Sequence, residues 1–123
     1  MKLNKTKVLS DIVVVWDSRE RKNDHILSWF DDNKIPYVKE KLDSGDYSLI
    51  LPNYPELDID RKFLIERKAN LDELSNNFTK DRDRFHREFE RLGEFDKMHL
   101  VVENATFKKM LSGSYRSSFS PKA

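Results

Sequence analysis

Ile12-Val13-Val14-Val15-Trp16 is an unbroken apolar, largely β-branched run. A run that short and continuous predicts a strand covered on both faces, as in the interior of an α/β sheet. Asp17 stands at its carboxyl end. The period then changes: Ile26, Leu27 and Phe30 have helical spacing behind a cap at Asn23 or Asp24, and Pro36 stops that helix. A strand from Tyr37 to about Leu42 follows, then a tight turn at Asp43-Ser44-Gly45 and a strand from Asp46 to Leu51. Pro52-Asn53-Tyr54-Pro55 opens a loop to about Asp60, after which the Phe63 to Lys68 strand completes a hairpin with a long connection. Asn70 and Glu73 have the spacing of a capping box ahead of a short helix, Leu71 to Asn77. A second helix is predicted from near Thr79 to before Gly93, then a strand from Met98 to Val102, then a helix capped by Asn104 that runs through Leu111 to Gly113. Strands that alternate with helices, apart from one hairpin, predict an α/β fold with a mixed central sheet flanked by helices.

A chain of 123 residues supports one core. The expected organisation is an N-terminal extension over 1–11, one domain over 12–111 and a Ser-rich tail over 112–123. Lys+Arg (23) and Asp+Glu (22) nearly cancel, so a polyanion would have to be held by a local basic patch. The absence of cysteine excludes disulfides, zinc–thiolate sites and thiol nucleophiles, which leaves oxygen or histidine to hold any metal. No signal-peptide core and no apolar run of membrane-spanning length is found, so a soluble, intracellular and cytoplasmic protein is expected.

The chemistry concentrates at Phe63-Leu64-Ile65-Glu66-Arg67-Lys68. On a strand, Glu66 and Lys68 share one face and Arg67 takes the other. Asp46, twenty positions upstream in the neighbouring predicted strand, brings a second carboxylate within range. Asp17 and Glu20 lie just beyond a central strand, where ligands of open α/β sheets collect. Four carboxylates in one cleft repel one another unless a cation joins them, and Mg²⁺ suits a site with one or two direct carboxylates. Lys68 could position a water and stabilise charge on a reacting phosphate. The pattern points to phosphodiester hydrolysis.

Val13-Val14-Val15-Trp16-Asp17-Ser18-Arg19-Glu20, then Gly45-Asp46, then Ile65-Glu66-Arg67-Lys68 with Asp72 four residues later, resembles the XPF-type (ERCC4 domain) structure-specific endonuclease family. Arg84 to Glu88 is similar to a weaker helical motif of that family, and the resemblance spans Ile12 to Glu103. It implies a restriction-endonuclease-like fold and Mg²⁺-dependent cutting of DNA at branches, flaps or junctions, with Mn²⁺ as a substitute, in recombination, repair or replication. It also implies that Asp17, Glu20, Asp46 and Glu66 are the acidic metal site, Lys68 the catalytic lysine, and Arg19, Arg67 and Asp72 supporting residues. A homodimer is the implied assembly. The 20 residues after Glu103 leave no room for the tandem helix-hairpin-helix module of larger members, and the long Pro52 to Asp60 loop is similar to compact single-domain versions in bacterial viruses.

Lys80, Arg84, Arg87 and Arg91 form one stripe of a predicted helix that could follow a phosphate backbone. The same stripe reads equally as a solvated face paired with nearby acids. His25, His86 and His99 lack metal-ligand spacing, and Trp16 and Trp29 read as packing residues. The alternative function is a non-cleaving module on the same scaffold that binds nucleic acid or a protein.

Overall fold

The computed structural model describes residues 4–79, 82–92, 97–106 and 108. Its elements run α1 (Lys5–Ser10), β1 (Val13–Asp17), α2 (Asp24–Asp32), β2 (Tyr37–Glu40), β3 (Tyr47–Ile50), a 3₁₀ turn (Pro55–Leu57), β4 (Phe63–Lys68), α3 (Leu71–Thr79), α4 (Arg82–Leu92) and β5 (Lys97–Val102). The strands form one sheet in the order β2-β1-β3-β4-β5. β1 runs parallel to β2 and antiparallel to β3, β3 and β4 are antiparallel, and β4 and β5 are parallel. This is the mixed sheet with flanking helices that the sequence predicts.

Register decides which side chains meet. Val15 faces Ser48, and Tyr47 faces Ile65, which sets Asp46 against Glu66 across the β3–β4 hairpin. Val15, Asp17, Asp46, Ser48, Leu64, Glu66 and Lys68 therefore share one face of the sheet. That face is apolar at its base, where Val15 and Leu64 are fully buried, and charged at the carboxyl end of β4. The opposite face carries a cavity of about 540 Å³ lined by Val14, Leu49, Phe63 and Ile65 and by Ile26 and Phe30 of α2.

Several boundaries differ from the sequence reading. β2 stops at Glu40 because the Leu42 N–H leaves the sheet and donates to Asp17 Oδ1 at 2.9 Å. α1 lies inside the expected extension, with Asn4 Oδ1 accepting the Lys7 N–H at 3.2 Å. Of the two alternatives for Trp29, core or interface packing, the core one does not hold: the ring is exposed and meets Phe30 edge-on. The capping box forms as expected: Asn70 Oδ1 accepts the Glu73 N–H and Glu73 Oε2 accepts the Ala69 N–H, both at 2.8 Å. Asn104 has a left-handed backbone (φ 52°), and its side chain donates to the Ala69 carbonyl. The expected helix through Leu111 and the tail over 112–123 fall almost wholly outside the described residues.

Gly45 makes the turn into β3 with φ +80°, and a Cβ there would lie 3.3 Å from Leu64 Cβ. Gly45→Ala combines backbone strain with crowding against a buried leucine, so it destabilises by more than about 1 kcal/mol. Urea unfolding measures this, and an unchanged midpoint would contradict the turn geometry.

Candidate active site

Asp17 ends β1 and is 3% exposed. Its Oδ2 accepts from Arg19 Nε at 2.9 Å and from the Arg19 N–H at 3.2 Å, while Oδ1 accepts from Arg19 Nη2 at 3.2 Å as well as from Leu42. Burial pushes this carboxyl up, but the Arg19 and Leu42 hydrogen bonds outweigh it and hold the group below its ordinary value. Arg19 Nη2 also donates to the Leu42 carbonyl at 2.6 Å. Asp17 and Arg19 together therefore pin the segment that leads from β2 to Asp46.

Asp46 is fixed through its backbone. Its N–H donates to the Ile65 carbonyl and its carbonyl accepts the Asp17 N–H, both at 2.8 Å. Its Oδ2 accepts the Arg67 N–H at 2.7 Å. Burial, then the neighbouring charge of Glu66 and, more weakly, that of Glu20, push this carboxyl up to about 7, against the partial relief of the Arg67 N–H and the Lys68 charge. Such a shift marks an acid cluster short of positive charge, and sites of this kind are candidates for cation binding.

Glu66 and Lys68 project from β4 on the same face, with Lys68 Nζ 3.3 Å from Glu66 Oε1 and only 7% of the lysine side chain exposed. Arg67 points the other way. Its guanidinium, 8% exposed, is ion-paired with Glu103 and lies 3.4 Å from Glu20 Oε2, and it donates to the carbonyls of Arg21 and Lys22 at 3.3 and 3.2 Å. Glu103 also meets His25 Nε2 at 2.7 Å. Arg67 thus ties the Glu20 loop to β4 and to the residue after β5, and so places Glu20 within electrostatic reach of Asp46.

The structure brings Asp46, Glu66 and Lys68 together, with Glu20 in electrostatic reach of Asp46 from its pairing with Arg67, and Asp17 and Arg19 adjoining as a closed hydrogen-bonded unit. Asp72 stands in the first turn of α3. Arg84 and Arg87 are exposed on α4, while Lys80 and the Arg91 side chain fall outside the described residues. Among the described residues, no group of three or more acidic or histidine side chains converges with metal-holding geometry. Asp46 and Glu66 nevertheless suit a two-carboxylate site, since their neighbourhood lacks the charge that a divalent cation brings. Glu103 escaped the sequence reading, and its partner His25 was noted only as lacking metal-ligand spacing; the parallel pairing of β5 with β4 that delivers Glu103 to Arg67 leaves no local signal.

A mixed sheet that gathers acids from adjacent strands, with a lysine beside them, has a restriction-endonuclease-like architecture. The family model for the ERCC4 domain matches residues 16–123, most of the chain, and the chain belongs to that family. Membership implies a nuclease that acts on DNA. No curated protein and no solved structure matches. Among the described residues, no helix is long and apolar enough to cross a membrane.

Proposed function

We propose that this protein is a Mg²⁺-dependent endonuclease that hydrolyses DNA phosphodiester bonds at branches, flaps or junctions during recombination, repair or replication. The observation that carries this reading is the register that sets Asp46 against Glu66 at one end of the sheet, with Lys68 Nζ 3.3 Å from Glu66 Oε1. Asp46 and Glu66 would hold the cation, Mn²⁺ serving in place of Mg²⁺, with Glu20 behind them. Bound there, the cation would supply neutralising charge for the phosphate and acidify a water.

The remaining roles belong to the chain's own groups. Lys68 Nζ orients the water and stabilises charge on the phosphate oxygens, and its near-complete burial strengthens that interaction. Asp17, whose oxygens are engaged by Arg19 and Leu42, positions the Asp46 turn. Arg67 positions Glu20, and Asp72 supports the start of α3. Arg84 and Arg87 follow the DNA backbone, joined by Lys80 and Arg91 on the stripe that the sequence predicts, and two copies pair through this domain. Sedimentation showing a strict monomer at high concentration would contradict that pairing.

Lys68→Met should lower single-turnover cleavage of a splayed-arm DNA by roughly 10²–10³-fold. A loss under tenfold would remove Lys68 from the chemistry.

A further inference from the structure

A small cavity of about 90 Å³ lies beside the acids, lined by Lys41, Leu42, Asp43, Ser44, Arg61 and Leu64. Three observations set it apart. Ser44 is only 8% exposed, and its Oγ is buried without a hydrogen-bond partner, a state native structures seldom tolerate without a ligand or water. Two cations, Lys41 and Arg61, line the same cavity. The surrounding backbone is preset: Asp17 and Arg19 hold Leu42, Gly45 turns against Leu64, and the Arg61 N–H donates to the Leu49 carbonyl at 2.9 Å with φ +61°.

Two carboxylates stand nearby, Glu40 ion-paired with Arg61 and Asp43 in the cavity lining itself. Glu40 takes Arg61 Nε and Nη2 at 2.6 and 2.8 Å, leaving Nη1 outside that pair, and Asp43 lies in the field of Arg19. The volume equals about three waters, enough for a tetrahedral anion and too little for a base. Leu64 precedes Glu66 by two residues on the same face of β4, a step of roughly 6.6 Å, which keeps the cavity within one or two nucleotides of the acids.

We propose that Ser44, Lys41 and Arg61 form a subsite for a backbone phosphate one or two nucleotides from the scissile bond. It sets which phosphate reaches Asp46 and Glu66, and Lys41 and Arg61 act as positioning residues. The inference rests on the nuclease reading for its substrate.

The test uses the full chain and a splayed-arm DNA carrying a single neutral methylphosphonate at successive linkages. Binding is measured in EDTA and cleavage in Mg²⁺. Wild type should lose roughly tenfold in affinity at one linkage near the cut, and Lys41→Ala and Arg61→Gln should lose that sensitivity. Each variant's salt slope should also fall by about one, and its cuts should spread to neighbouring phosphates. Lys5→Ala, in α1, should keep the linkage sensitivity. Wild-type methylphosphonate profiles in both variants would overturn the subsite and leave the nuclease standing. Absence of wild-type cleavage with retained binding would overturn the nuclease, and the binding arm would still decide the subsite. Absence of any DNA binding would overturn both.

Discussion

Asp46→Asn should abolish cleavage, by at least roughly 10³-fold, and at the same time stabilise the fold at pH 8. The asparagine keeps an oxygen to accept the Arg67 N–H, but it removes a charge that burial and the neighbouring Glu66 disfavour. In the folded chain Asp46 stays protonated up to about pH 7, whereas the unfolded chain releases that proton near the ordinary value of 3.8. Between those values the folded state binds more protons, so wild-type stability falls as pH rises through the window and levels off above it. The penalty is on the order of 4 kcal/mol as an upper bound. Urea unfolding of both proteins should give a higher midpoint for Asp46→Asn at pH 8 and no difference at pH 4. A wild type at least as stable as the variant at pH 8 would contradict the buried acid cluster. Mg²⁺ should raise the wild-type Tm and leave that of Asp46→Asn unchanged. Asp17 acts in the opposite sense and in a different window. Its depressed carboxyl contributes stability above about pH 4 that is lost as pH falls below it.

Arg67→Met carries the second large effect. The guanidinium is nearly buried and pairs with Glu103 and Glu20 while donating to two loop carbonyls, so its loss leaves partly buried carboxylates and carbonyls uncompensated. Breaking such a network by removing one partner costs roughly 3 kcal/mol. His25 still faces Glu103 and softens the loss only on that side. Arg67→Lys should recover less than half of it, because a point charge cannot replace the planar fork that reaches four acceptors. Urea unfolding measures both variants. A loss under 1 kcal/mol in Arg67→Met would mean that the network does not hold the Glu20 loop.

The sheet was legible because its strands advertise themselves. Ile12 to Trp16, Phe63 to Lys68 and Met98 to Val102 are apolar runs bounded by turn or cap residues; the second became β4 with the same ends, and the other two became β1 and β5 with one or both ends displaced by one residue. The capping box at Asn70 and Glu73 and the Gly45 turn were readable because few residue types satisfy those backbone demands. The pairing of Asp46 with Glu66 followed from treating the two runs as a hairpin. What stayed hidden was long-range pairing. Nothing in the run around Asp17 shows that its carboxylate is claimed by Arg19 and Leu42, and nothing around Glu103 shows that β5 delivers it to Arg67. α1 was missed because six polar-rich residues carry almost no apolar period, and the cap at Asn4 was its one signal.

The central claim is that the acids and lysine at the carboxyl end of β4 cut branched DNA. Its most direct test is incubation of labelled flap, splayed-arm, four-way-junction and plain duplex DNA with the protein in Mg²⁺ or Mn²⁺, beside Asp46→Ala. Cutting confined to the branched substrates, dependent on the cation and lost in Asp46→Ala, is the result the site predicts. Cutting that survives in Asp46→Ala, or none by wild type on any substrate with either cation, would contradict it.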